Sequence, residues 1–244
     1  MVLICNCFSQ YFTLDIIPLA NIKSRLGKWL ICNRSAESMT SGLSDEEFHK
    51  MAENYIIKGS SSLLLAASNY YRFMHLMENV REVPIDLKEA TSLVEKVKSD
   101  LKETVKTYSE LIDFVETYGS VPESVKNWFA KDFDIENIKK FAKQYTLLSQ
   151  DDVDLIIKTF KSGKPLDAVK LFRDRVENVV RSLDELEYSL SNVGKVDEKN
   201  VVALADKIWL VQKMLSEAIH LGSFIAMINI TTRPIVENLR RSRV

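Results

Sequence analysis

Two pairs of Glu and His residues have a spacing that could support metal chemistry. They are Glu46 with His49 and Glu217 with His220. Residues three positions apart lie on the same face of a helix. Some four-helix bundles bind two metal ions with a Glu from each of two helices and a Glu-x-x-His motif from each of the other two. The spacing is therefore compatible with a di-metal site, provided that both pairs lie at the same level.

Three features of the sequence argue against that site. Glu46 lies in the first turn of a predicted helix, where an acidic side chain is expected as a partner of the helix dipole. In an antiparallel register His220 falls level with Tyr55 and not with His49, an offset of about 9 Å along the helix. The apolar seams of the second and third long helices carry no Glu. We therefore predict neither a metal ion nor another cofactor.

Small residues collect on the first and the last of the predicted long helices. They are Gly59, Ser62 and Ala66 on the first, and Ala218, Gly222, Ser223 and Ala226 on the last. Facing small residues either let two helices approach closely, which is the favoured interpretation, or leave a cavity for a ligand. If there is a cavity, the polar residues near its level are the candidate ligand-binding residues. These are Tyr55, Ser62, Tyr108, Glu217 and His220.

Asn69 falls on the core-facing stripe of the first long helix. A buried Asn needs hydrogen-bond partners, and Asp206 lies near the same level on the last long helix. We interpret Asn69 as a structural polar contact that fixes the helix register.

The sequence carries no catalytic signature, so we predict no catalytic residues and favour a protein that is not an enzyme. Its three cysteines all lie within the first 32 residues, and no G-x-S-x-G, P-loop or G-x-G-x-x-G motif occurs. Lys plus Arg (33) nearly balance Asp plus Glu (34), which gives a net charge of −1. That balance lacks the basic footprint of a nucleic-acid-binding protein.

Composition and periodicity predict long helices. Only 7 Gly and 5 Pro occur in 244 residues, which disfavours a turn-rich β protein. The clearest element runs from Leu87 to Tyr118, where apolar residues recur in steps of three and four, as in the seam of a coiled coil. The same rhythm places four side chains of the second and third long helices in a common core: Val97, Leu101, Val179 and Leu183.

The boundaries of the other elements follow from capping signals. Ser44 and Glu47 form a capping box before the first long helix. Pro165 opens the third, and Pro234 is expected to end the fourth. The fourth helix has the broadest apolar surface, so we expect it to be the most buried. Short helices between the second and third include Ile135–Tyr145 and Asp151–Phe160, the latter after an S-x-x-D cap at Ser149.

These elements predict an all-α fold, an antiparallel up-down-up-down four-helix bundle over residues 44–232. A small helical insertion, residues 120–163, lies between the second and third long helices. Residues 1–43 form an irregular N-terminal extension, and residues 233–244 a basic tail. The extension has three interpretations: an upstream addition with Met39 as a later start, a membrane-surface segment, or an ordered arm packed on the bundle.

The regular seams and balanced charged faces favour a cytoplasmic, non-catalytic interaction or scaffold protein. We expect a protein partner or a homodimer, formed through the coiled-coil-like second or third long helix. Membrane association is expected only through the N-terminal extension. The alternative is a small-molecule or metal-binding bundle with its site between the first and fourth long helices.

Overall fold

The structure is a computed structural model that describes residues 45–78, 87–118, 135–146, 148–192 and 198–241. The predicted N-terminal extension, the capping residue Ser44 and the early cysteines lie outside the described residues. Glu46 and His49 lie in a described helix, but their side chains do not belong to the described part of the chain.

Every regular element in the described ranges is a helix, which confirms the all-α prediction. The six helices are α1 (Asp45–Glu78), α2 (Leu87–Tyr118), α3 (Ile135–Tyr145), α4 (Gln150–Lys161), α5 (Pro165–Ser191) and α6 (Glu198–Arg241). The long helices α1, α2, α5 and α6 occupy the positions that the apolar periodicity predicts.

The end of α6 differs from the prediction. The helix continues through Pro234 to Arg241, although Pro234 was expected to end it. A proline inside a helix removes one backbone hydrogen bond and favours a kink, but it does not oblige the chain to stop. The residues after Pro234 include the good helix formers Leu239, Arg240 and Arg241, which favour continuation.

Neighbouring long helices run antiparallel along the chain. Tyr55 near the start of α1 contacts Phe114 near the end of α2, with ring centroids 5.8 Å apart. In the same way, Lys170 near the start of α5 forms an ion pair of 2.5 Å with Glu116 near the end of α2. Antiparallel pairing is what places the beginning of one helix beside the end of the next.

The pair α5 and α6 follows the same rule, and α6 also touches α1. Ser182 Oγ of α5 lies 3.3 Å from Met214 Sδ of α6. Lys207 Nζ, nearer the start of α6, donates a hydrogen bond of 2.7 Å to Ser189 Oγ near the end of α5. The Tyr70 hydroxyl of α1 donates a hydrogen bond of 2.6 Å to the Ile208 carbonyl of α6. Among the long helices, α2 contacts α1 and α5, α5 contacts α2 and α6, and α6 contacts α5 and α1.

The short helices form a side layer next to α5. Helix α4 contacts α5 and α3 contacts α4. The backbone N–H of Asp152 donates to the Ser149 side chain, which confirms the predicted cap of α4. Arg175 of α5 pairs with Asp152 at 2.5 Å, so the cap region is also attached to a long helix.

The core consists of the seams of the long helices together with the buried faces of α3 and α4. Val97, Leu101, Val179 and Leu183 are fully buried, as the three-and-four spacing predicts. Helix α6 is less uniform than expected. Consecutive residues from Ala218 to Leu221 are all buried, whereas the outer face between Val202 and Lys213 is exposed. Over the part of the chain that is described, none of the helices has both the length and the apolar character to cross a membrane.

Candidate functional site

The candidate site is built around Tyr108, which lies in the middle of α2 and faces α1. The hydroxyl of Tyr108 is 3.2 Å from Ser60 Oγ, and both residues are buried. Next to them is Gly59, whose missing side chain makes room for the phenol ring. A Cβ at position 59 would lie 2.6 Å from Tyr108 Cε2, closer than carbon atoms can approach.

The other side of the Tyr108 ring contacts α5. The Phe172 ring meets Tyr108 edge to face, with centroids 4.9 Å apart and an interplanar angle of 71°. This geometry is favoured by the charge distribution of aromatic rings. Phe172 in turn lies against Gly222 of α6, where an added Cβ would be 3.0 Å from Phe172 Cε2. One layer, Gly59–Tyr108–Phe172–Gly222, therefore crosses all four long helices.

Two threonine hydroxyl groups of α2, those of Thr104 and Thr107, lie close to the Ser60–Tyr108 contact in sequence. Thr104 Oγ1 donates to the carbonyl of Asp100 at 3.0 Å and lies 3.4 Å from the Gly59 carbonyl. Thr107 is fully buried, and its Oγ1 has no hydrogen-bond partner among the described residues. Burial raises the pKa of the Tyr108 phenol, and the hydrogen bond with Ser60 lowers it only in part. The phenol is therefore neutral at physiological pH.

The five predicted ligand-binding residues have different positions. Tyr108 is at the centre of the layer, with Ser60 and Phe172 as its partners. Tyr55 is half-buried and contacts Phe114. Ser62 is half-buried on α1, two residues after Ser60 and so about 200° around the helix from the hydroxyl that contacts Tyr108.

The two predicted site residues of α6, Glu217 and His220, differ in how far they are buried and in their surroundings. Glu217 is half-buried and lies 4.0 Å from Lys213 on its own helix. His220 is buried. No group of three or more His, Cys, Asp and Glu side chains that could hold a metal ion occurs among the residues that the structure describes.

Asn69 has a different partner from the one expected. Its amide donates a hydrogen bond of 3.0 Å to Asp100 Oδ2 on α2, whereas Asp206 on α6 is exposed. The expectation placed Asn69 against α6 because only the level along the helix was considered. The rotation of α1 turns this position towards α2. The structural role of Asn69 as an interhelical contact remains, with the partner corrected.

Chemically, the layer provides hydroxyl groups and two aromatic rings. The hydroxyls of Ser60, Thr104 and Tyr108 are bonded within the protein, and the rings fill the space beside the two glycines. This arrangement fixes the level of four helices relative to one another. It favours close helix contact over a cavity as the role of the small residues at positions 59 and 222.

Sequence reasoning missed two members of this layer. Ser60 was not selected, although the unusual run from Gly59 to Ser62 contains poor helix formers and marks the place. Phe172 was not selected either, because nothing in the sequence shows which ring faces a glycine.

A comparison of this chain with protein families, with curated proteins and with solved structures finds no match.

Proposed function

We propose that the four long helices form one antiparallel bundle and that the protein is a non-catalytic interaction module that associates with itself. The observation that carries the proposal is a set of large apolar side chains on the outside of α6. Trp209 is 59% exposed, Val202 56% and Leu210 47%. Exposed apolar groups that cluster on one surface are typical of protein interaction sites.

The position of α6 supports this proposal. The seams of α2 and α5 are buried within the chain, because each of these helices lies between two others. They leave no free seam for the expected contact through the second or third long helix. Helix α6 contacts α5 and, at Tyr70, also α1, but its face between Val202 and Lys213 is exposed. Tryptophan is also among the residues that contribute most to binding at interfaces.

The aromatic layer supports a structural role for the interior. Tyr108 and Phe172 occupy the space that Gly59 and Gly222 leave. Because the two rings occupy the space beside these glycines, little room is left there for an internal ligand. This favours a function at the surface of the bundle.

The test combines sedimentation velocity with affinity capture on the full chain. We expect the sedimentation coefficient to rise with protein concentration across the micromolar range. We also expect Trp209→Asp to reduce this self-association, because a charge at the centre of an apolar contact must be desolvated. A strictly monomeric protein would overturn the self-association, and one that also retains no partner dependent on Trp209 would overturn the interaction module as a whole.

The second candidate is a small-molecule or metal-binding bundle with a site between α1 and α6. One observation favours it. Gln212 Oε1 on α6 is buried without a hydrogen-bond partner among the described residues, and His220 is buried on the same helix. A buried acceptor without a donor costs about 1–3 kcal/mol, which a bound donor group would recover. Elemental analysis and thermal shifts with Fe, Mn and Zn test the metal form of this idea. Unchanged melting with all three metals, in a metal-free protein, would remove it.

A further inference from the structure

The outer face of α6 has a composition that is unusual for a solvated helix. Between positions 202 and 213 its exposed side chains are Val202, Ala203, Ala205, Asp206, Trp209, Leu210 and Lys213. Only two of them are charged, and their charges are opposite. We call this set the α6 outer face.

Four members of the α6 outer face form a seam. Val202, Asp206, Trp209 and Lys213 follow one another in steps of four, three and four residues. This is the spacing with which one helix of a coiled coil contacts a second helix. Within the described chain the seam is exposed to solvent.

The two charges on the α6 outer face cannot neutralise each other within one helix. Asp206 and Lys213 are seven residues apart, which is about 10.5 Å along the axis. Asp206 makes no ion pair with any other described residue. Lys213 Nζ is 4.0 Å from Glu217 on an exposed surface, where ion pairs contribute about 0–1 kcal/mol and are readily exchanged.

The midpoint between these charges coincides with the apolar centre of the face. It falls between Trp209 and Leu210, the two largest exposed apolar side chains among the described side chains of α6. A two-fold axis at this point would place each Asp206 opposite Lys213 of the second copy. Trp209 of each copy would then lie against Leu210 of the other. A parallel arrangement would instead oppose like charges at both positions.

We propose that the α6 outer face binds the same face of a second copy of this chain, with the two α6 helices antiparallel and Asp206 paired with Lys213 across the interface. The inference rests on the proposed self-association and specifies its surface. Such an interface is isologous, since both copies use the same residues. A single helix face is at the small end of specific interfaces, which bury about 1,200 Å² or more in total. The dimer is therefore expected to be reversible, with a dissociation constant of about 1 μM or above.

Charge reversal tests the pairing. In the proposed dimer, Asp206→Lys alone places a lysine opposite Lys213 of the other copy at both pairing positions. Lys213→Asp alone places an aspartate opposite Asp206 of the other copy. We expect each variant to weaken dimerisation about tenfold or more in sedimentation velocity at low salt. An equimolar mixture of the two variants restores both opposite-charge pairs, so it should form heterodimers with nearly the wild-type affinity.

The double variant Asp206→Lys/Lys213→Asp tests whether positions 206 and 213 face each other. In an antiparallel dimer it restores both pairs and should dimerise like the wild type. The single reversals test the orientation, because in a parallel dimer each would exchange one like-charge pair for another and leave the affinity nearly unchanged. Glu95→Lys and Lys96→Asp on the exposed face of α2 are matched controls, because they change the net charge equally without touching α6. Far-UV circular dichroism of each variant checks that the helices are intact.

The outcomes separate this inference from the proposed function. If the wild type dimerises but single reversals at Asp206 and Lys213 behave like the α2 controls, the self-association proposal stands and this interface is wrong. If both single reversals weaken the dimer but the double variant does not recover, the pairing of Asp206 with Lys213 is wrong. If the wild type is monomeric at every concentration, this inference fails, and capture of a partner that depends on Trp209 decides the function separately.

Discussion

Gly59 on α1 lies against the edge of the Tyr108 ring on α2, so closely that a Cβ at position 59 would stand 2.6 Å from Cε2. In an exposed helix, replacing glycine with alanine gains about 1 kcal/mol. Here the added methyl group must displace the ring, which itself is held between Ser60 and Phe172. We expect Gly59→Ala to lower the free energy of unfolding by about 1–3 kcal/mol, measured by urea denaturation.

Two substitutions serve as controls for the Gly59 prediction. Gly222→Ala places a Cβ 3.0 Å from Phe172 Cε2, so its cost should be smaller. Ser61→Ala lies in the same run of poor helix formers but is only half-buried, and it should be neutral or slightly stabilising. A Gly59→Ala variant as stable as the wild type would show that the ring is free to move.

The hydrogen bond between Ser60 and Tyr108 gives a second prediction. Tyr108→Phe keeps both ring contacts and removes the hydroxyl, which should cost about 1 kcal/mol of unfolding free energy. Ser60→Ala leaves the buried Tyr108 hydroxyl without this partner and should cost about 1–3 kcal/mol.

The double variant separates the hydrogen bond from other effects of these substitutions. Once Ser60 is Ala, removing the Tyr108 hydroxyl should cost little, so the two losses will be less than additive. Additive losses in urea denaturation would show that the 3.2 Å contact contributes nothing.

Much of the helical architecture could be predicted because it depends on periodicity. The seam from Leu87 to Tyr118 repeats along the whole of α2, and the structure buries Val97 and Leu101 as that repeat requires. The end of α6 could not be predicted in the same way. Pro234 is a single local signal, and a proline weakens a helix without obliging it to end.

The candidate site was predictable only to about one helical turn. Successive residues of a helix point about 100° apart, so choosing Ser62 in place of Ser60 changes the direction of the hydroxyl by more than half a turn. Helix register gives the level of a residue along the helix axis but not the direction in which its side chain points around that axis. For this reason Asn69 was assigned to Asp206 and not to Asp100. Tyr108 was identified because both its level and its seam position are given by the α2 repeat.

Lys98 provides a prediction about an ion-pair network between α2 and α5. Its ammonium group donates to Glu187 and lies 3.1 Å from Asp184 Oδ1, while the Lys98 side chain is only 19% exposed. We expect Lys98→Met to lower the unfolding free energy by about 1 kcal/mol. Lys106→Met, which removes an exposed 3.9 Å pair with Glu110, should cost less.

The pH dependence of the Lys98 effect has a defined sign. The hydrogen bond to Glu187 raises the pKa of Lys98 above its ordinary value of 10.5. A raised lysine pKa stabilises the fold fully below the unfolded value, and this stabilisation is lost as pH rises through the folded value. The difference between wild type and Lys98→Met should therefore be constant near neutral pH and shrink only above about pH 10.5. A difference that already shrinks between pH 7 and pH 9 would contradict this assignment.

Tyr70 is expected to make the fold sensitive to alkali. It is buried, its hydroxyl donates to the Ile208 carbonyl at 2.6 Å, and burial raises its pKa well above the ordinary value of 10.0. Above pH 10 the unfolded chain releases the phenol proton while the folded chain retains it, so folding binds a proton and stability falls as pH rises. One such group contributes a slope of about 1.4 kcal/mol per pH unit.

Tyr70→Phe removes this contribution together with one hydrogen bond. Near pH 8 the variant should be about 1 kcal/mol less stable than the wild type. Above pH 10 the difference should narrow and then reverse, because the variant has lost a group that penalises the folded state. Tyr188→Phe is the matched control, since Tyr188 is 72% exposed, and its difference from the wild type should be the same at both pH values. Urea denaturation curves at pH 8 and pH 11 that remain equally separated for wild type and Tyr70→Phe would show that the phenol of Tyr70 is not held in a buried site.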